Sequence, residues 1–276
     1  MDHPRQRLAP PPALVTPPHS AVEVYPRAAV LTAWVNAVGV RAVDGLAECP
    51  VLDPGDPFSI GLSSANGAPD FAWVPGRMTL GEAVATWPHR EPAQCTLPVP
   101  GDVSGLPANA AGALAAGQAA VVPSVHAALV VWPSVAGDAS TVWRAIAGGP
   151  VARADLDVRH ARLSVMDRLT EAVAHFDATG PVRSSRDEVA RRMAALDVVP
   201  MPPESQPAAV ALARLSAQLL VIVDAVLNPG TTAGSPPEAN QAAPDQAKQA
   251  LAPLGRVGRS ALATAFSATH SGSSAR

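Results

Sequence analysis

Gln118-Ala-Ala-Val-Val122, Ala127-Ala-Leu-Val-Val-Trp132 and Thr141-Val-Trp-Arg-Ala-Ile-Ala147 follow one another closely and decide the fold class. Each run is too short for a core helix and rich in Val, Ile or Trp, side chains that suit a half-buried pleated surface. Gly137-Asp138 punctuates the last two as a turn. From Asp155 the pattern changes to the helical period, with Leu156, Leu163, Met166, Leu169, Val173 and Phe176 on one face and Gly180-Pro181 as the stop. Strands followed by helices predict an α+β protein. A small mixed sheet with flanking helices takes residues 20–152, and an antiparallel helical bundle takes residues 153–270.

Upstream of these runs, Cys95–Val99 reads as a further strand, ended by the turn Pro100-Gly101-Asp102. Phe58-Ser-Ile-Gly-Leu62 alternates, with Phe58, Ile60 and Leu62 on one face, and Asp70–Val74 follows as a second strand beyond Asn66-Gly67. Ser20–Tyr25 is a short strand candidate. Pro26 opens a helix with Leu31, Trp34, Val35 and Val38 on one face and Gly39 as its stop, the rival being a buried strand. Thr79-Leu-Gly-Glu82 matches a capping box and predicts a helix through Trp87. Asn109–Ala116 is small-residue helix or coil.

Downstream, Ser185-Arg-Asp-Glu188 is a second capping box, opening a helix with Val189, Met193 and Leu196 inward and Asp187–Arg191 and Glu188–Arg192 pairs outside. Pro207 starts a helix with Leu212, Leu215, Leu219, Ile222, Val223 and Val226 inward. It is apolar almost all round from Leu219, which predicts the central member of the bundle. A last helix over 244–269 sets Leu251, Leu254, Leu262 and Phe266 on one side, with Pro253 as a kink or as the true first turn. Residues 1–19 are expected to be a disordered Pro-rich tail, 229–243 a flexible linker and 271–276 a disordered end.

Composition narrows the chemistry. Lys248 is the one lysine among 20 Lys+Arg, and no G-x-x-x-x-G-K-[ST] occurs, so P-loop chemistry has no anchor. Lys248 lies in a polar stretch that does not suit a desolvated Schiff-base amine. Apolar residues make up 48% of the chain but aromatics only 4%, so the core must rest on small side chains and close helix contacts. Net charge is −3, and neither half is basic, which argues against a nucleic-acid partner. The most apolar run, Leu219–Leu227, is broken by Asp224 and too short to span a bilayer, and prolines interrupt the region where a secretory apolar stretch would stand. Cys49 and Cys95 form no C-x-x-C and fit a reducing compartment. A cytoplasmic protein without a membrane partner is expected.

No catalytic signature emerges. G-x-G-x-x-G and H-E-x-x-H are absent, and Gly61-Leu-Ser63-Ser-Ala65 lacks the last glycine of a nucleophile elbow. His160 and His175 share a helix but lie about 22 Å apart along it, too far for one metal ion. Asp53-Pro-Gly-Asp56 puts two carboxylates on one turn, where Asx contacts are expected. Gly112 and Gly117 suit small-residue packing or a turn beside a ligand. Three residues stand as pocket candidates. Asp102 follows a strand, His126 precedes an apolar strand, and Asp224 lies in an apolar helix, where a buried carboxylate must be paired or protonated; it is expected at the edge near the helix end or paired with an Arg such as Arg256 or Arg259, the alternative being an interface or ligand contact.

Leu97-Pro-Val-Pro-Gly-Asp102, Ala116-Gly-Gln-Ala119, the Val/Trp-rich strands and Leu196-Asp-Val198 resemble a family of uncharacterised actinobacterial proteins. The resemblance implies the α+β layout and transfers no site. The expectation is a non-catalytic protein-interaction or assembly module, with no cofactor and no metal. The alternative is a small-molecule-binding protein or enzyme with a pocket between the α/β part and the helices. A weaker third, a nucleic-acid-linked regulator, would use Arg191, Arg192, Arg256 and Arg259.

Overall fold

The computed structural model describes residues 25–38, 46–61, 78–87, 91–103, 105–124, 127–135, 140–151, 157–179, 186–227 and 245–268. The expected strands before Tyr25 and at 70–74, the Gly137-Asp138 turn, Ser185 of the second capping box, the linker and both chain ends lie outside the described residues, as does His126.

Six strands make one mixed sheet in the order β2-β1-β6-β5-β4-β3: β1 (Pro57–Gly61), β2 (Met78–Thr79), β3 (Gln94–Thr96), β4 (Ala119–Pro123), β5 (Ala128–Val135) and β6 (Thr141–Gly148). The three runs that opened the argument are β4, β5 and β6, adjacent and antiparallel, with Val121 opposite Val130 and Val130 opposite Ile146. β1 joins β6 in parallel, Phe58 opposite Trp143, and pairs β2 antiparallel. Alternation along the strands separates two faces. Ala120, Val122, Leu129, Val131, Trp143 and Ala145 belong to the main core. Ala119, Val121, Ala128 and Val130 form a smaller core on the other side with Ala110 and Ala113.

Among the described residues seven helices accompany the sheet: α1 (Arg27–Val38), α2 (Leu80–Ala85), α3 (Ala111–Ala116), α4 (Val158–Thr179), α5 (Arg186–Ala194), α6 (Pro207–Leu227) and α7 (Asp245–Ser267). The α1 helix forms as expected, with Leu31, Trp34 and Val35 buried. Its N-terminus is closed from a distance, because Gln118 Oε1 accepts from the Ala28 N–H at 3.0 Å. The Thr79 capping box is complete, but α2 ends at Ala85 rather than continuing to Trp87.

Two helix expectations are corrected. In α4 the buried positions are Val165 and Ala172, with Val158, Ala161 and Leu169 packed beside them, whereas Leu163, Met166 and Val173 face outward. Choosing the bulkier stripe misplaces the inward face by roughly a quarter turn at 100° per residue. The central helix is α7, not α6. It packs on α6, α4, α1 and β3, and Leu251, Leu254, Leu262 and Phe266 are all buried. Gly255 and Gly258 set its distance from α6, since a Cβ at Gly258 would stand 3.2–3.4 Å from Leu219 and Leu220. This is the close, small-residue packing that the composition implies. Pro253 falls inside α7, not in its first turn. Because α7 also reaches α1 and β3, the C-terminal helices are not set apart from the sheet. One buried cluster runs from Tyr25 and Trp34 through Trp143 to Leu212 and Phe266.

Candidate functional site

Asp102 ends a tight turn in which the Val99 N–H donates to the Asp102 carbonyl at 3.0 Å and the Asp102 N–H donates back at 2.8 Å. Gly101 sits at φ +86°, a conformation that side chains with a Cβ rarely adopt. The turn presents the Asp102 carboxylate to α7, where Arg256 Nε lies 3.9 Å from Oδ2. Arg259, one turn further along α7, is half-buried. Its Nε is buried and has no hydrogen-bond partner among the described residues. Burial lowers the Arg259 pKa, the Asp102 charge opposes that shift and Arg256 adds to it. Among the described residues, two guanidinium groups therefore face one carboxylate where the sheet's turn meets the helices.

The other carboxylate candidate is elsewhere. Asp224 Oδ2 accepts from Arg192 Nη1 at 2.6 Å, joining α6 to α5. It is paired with an arginine, as one expectation held, but that arginine is Arg192 rather than Arg256 or Arg259. Arg192 thus reaches across to α6. Glu188, its expected partner, has a side chain outside the described ones.

A second polar corner escaped the sequence analysis. Asp56, just before β1, accepts from the buried Trp143 indole N–H at 3.1 Å. Arg27 at the start of α1 donates to the Thr141 hydroxyl. Burial raises the Asp56 pKa, the Trp143 hydrogen bond lowers it, Asp53 raises it and Arg27 lowers it. Asp53 behaves as expected of an Asx turn, its Oδ1 accepting from Gly55 N–H at 2.8 Å. Sequence offers no signal for this corner, because Arg27, Asp56 and Trp143 meet only when β1 lies beside β6.

Other polar groups serve as ties. The Tyr25 hydroxyl donates to the Leu196 carbonyl at 3.2 Å, and the Trp34 indole to the Pro200 carbonyl at 3.1 Å, holding the segment after α5 against α1. Burial pushes the Tyr25 pKa up to about 12. Ser267 Oγ accepts from the buried Cys95 N–H at 2.7 Å, fastening α7 to β3. Both cysteines are free and buried, and burial raises both thiol pKa values. Gly112 packs beneath Trp132, since a Cβ there would stand 2.5 Å from Cζ2. Gly117 ends α3 at φ +66°. Among the described residues no group of three potential metal ligands gathers. A groove of about 210 Å³ lies between α4 and α7, lined by Arg168, Glu171, Ala172, Pro253 and Leu254, and neither Asp102 nor Asp224 lines it.

Among the described residues the outer line of α4 carries three of the eight exposed large apolar side chains. Leu163, Met166 and Val173 are 55%, 45% and 52% exposed. Arg159 and Arg162 are exposed at the N-terminal end of the same line. Among the described residues one helix, Pro207–Leu227, is long and apolar enough to cross a membrane, and eight of its residues are buried within the protein. Comparison with protein-family models, curated proteins and solved structures found no match to this chain.

Proposed function

We propose that this chain is a non-catalytic cytoplasmic protein that works by docking another protein on the outer face of α4. One observation carries the proposal: Leu163, Met166 and Val173 stand about half exposed in a line on a helix whose opposite line is already packed against α7. Exposed apolar residues scattered singly need no explanation, but a line of them on one rigid element supports a contact surface. Arg159 and Arg162 at its end favour a partner segment with apolar residues flanked by carboxylates. The acidic net charge supports a reading without nucleic acid. Membership of the uncharacterised actinobacterial family belongs to the same proposal.

A photo-crosslinking side chain at position 166, with the adduct mapped by mass spectrometry, tests it. A defined protein partner or second copy should be captured, and Leu163→Asp should abolish capture while leaving the melting temperature unchanged within a few degrees. Capture no greater than from a control at exposed Arg214 would refute the docking face.

A second reading, a small-molecule binder or enzyme with a pocket between sheet and helices, draws its support from the Asp102–Arg256–Arg259 corner.

A further inference from the structure

We propose that Arg256 and Arg259 form a binding site for a small oxyanion, a carboxylate or phosphate group, at the corner where α7 meets the Val99–Asp102 turn. The inference does not depend on the α4 docking face.

Arginine at positions three apart on a helix projects two guanidinium groups from neighbouring turns toward the same side. Here both face a turn of fixed shape, made rigid by its paired hydrogen bonds and by Gly101. The nearby counter-charge is incomplete. Arg256 is 65% exposed and its contact with Asp102, at 3.9 Å, is an ion pair at the limit of contact rather than a hydrogen bond. Arg259 Nε is buried and makes no hydrogen bond to a described residue. Burial of that end restricts the guanidinium, whose remaining donors are the two terminal nitrogens. Gly255, one turn back, does not crowd them, since even a Cβ there would stand 3.5 Å from Arg259 Nη1, an ordinary contact. A guanidinium held this way has surrendered part of its hydration without a protein acceptor in return. An oxyanion supplies what the fold omits: planar, paired acceptors of the kind guanidinium groups recognise. Asp102 then acts as a competing anion that sets how tightly the ligand is held, while orienting Arg256.

Titration with inorganic phosphate and, separately, with acetate at constant ionic strength, followed by NMR, is the test. The reporters are the Arg259 and Arg256 Nε–H resonances and the Gly101, Asp102 and Gly255 amides. Saturable shifts confined to these groups are expected, and whichever anion binds more tightly identifies phosphoryl or carboxylate as the ligand class. Arg259→Gln should weaken binding about ten- to a hundredfold, Arg259→Lys less, and Asp102→Asn should strengthen it several-fold. Thermal melts of each variant establish that it folds. The proposal fails if neither anion gives saturable shifts at these groups. It fails equally if the shifts persist undiminished in a folded Arg256→Gln, Arg259→Gln double variant, or if Asp102→Asn weakens binding.

Discussion

Replacing Asn36 by alanine should destabilise the protein more than a half-exposed asparagine ordinarily would. Its Oδ1 accepts from the Ala93 N–H at 2.7 Å, and its Nδ2 donates to the carbonyls of Ala93 at 2.8 Å and Ser267 at 3.3 Å. One side chain thus joins α1, the lead-in to β3 and the end of α7. Ala93 is 2% exposed, so its backbone groups have little water to turn to once the amide is gone. Each buried group left unmet costs about 1–3 kcal/mol. Two such groups at Ala93 give a loss of about 2–6 kcal/mol, the longer bond to Ser267 adding least. Against a total stability of about 5–15 kcal/mol that is a large fraction. Urea denaturation measures it as a fall in the midpoint at unchanged slope, and hydrogen exchange at Ala93 should accelerate more than at Val130 in the sheet centre. Asn36→Asp keeps the acceptor for Ala93 N–H but aims a carboxylate at two carbonyl oxygens, so it should be at least as damaging. A loss below about 0.5 kcal/mol for Asn36→Ala, the range of ordinary surface changes, would show that the three bonds do not hold these elements together.

Asp56→Asn preserves an acceptor for Trp143 and removes a titration. The folded pKa of Asp56 is raised, chiefly by burial, so its contribution to stability is present below the unfolded value and lost as pH rises through the folded one. Melting temperatures should therefore diverge in favour of the variant as pH is raised from the acid range to neutrality, and parallel curves would contradict the burial. Gly112→Val places a Cβ 2.5 Å from Trp132 Cζ2 and should cost about 1–3 kcal/mol by overpacking, with a change in tryptophan emission. Pro253→Ala restores an N–H able to reach the Gln249 carbonyl inside α7. It should stabilise the protein by about 1–3 kcal/mol, read as a raised melting temperature; destabilisation would mean that the proline ring itself supports the packing.

Where the local pattern and the tertiary surroundings agree, the sequence was a good guide. β4, β5 and β6 appear within a residue or so of the expected starts, the Thr79–Glu82 box caps a helix, and the four large residues of α7 all point inward. The failures have one cause, that helical periodicity gives an axis of amphipathicity but not what lies across it. On α4, Val158, Ala161, Val165, Leu169 and Ala172 form a stripe as regular as the larger one through Leu163, Met166 and Val173. The smaller stripe lies inward because α7 approaches closely, and small residues permit close approach. The glycines of α7 give no signal for this, because Gly255 and Gly258 face Val223, Leu219 and Leu220 of α6 rather than α4. Similarly, α6 is the more apolar helix but α7 is the more surrounded one, because centrality depends on what reaches a helix from every side.

The distribution of polar groups explains why chemistry was not legible. Trp34, Asn36, Gln118 and Ser267 each satisfy a backbone group on an element far away in sequence, so side chains that look reactive in a linear reading act here as joints between elements. A structural tie and a binding group can be the same residue type, and the distinction lies in whether the partner is already present. Asn36 and Ser267 have their partners; Arg259 has a buried Nε without one. The Ser205 and Ser216 hydroxyls are also buried without a described partner, so what separates the α7 corner is that its unmet donor belongs to a cation with a second guanidinium one turn away. That difference also sets an order of experiments. If the corner takes an oxyanion while position 166 captures no protein, the small-molecule reading displaces the docking one. If position 166 captures a partner and the corner stays silent, Arg259 is an unmet donor that the fold tolerates, and stability measurements on Arg259→Met, which keeps the length of the side chain and removes the buried donor, should then show a gain.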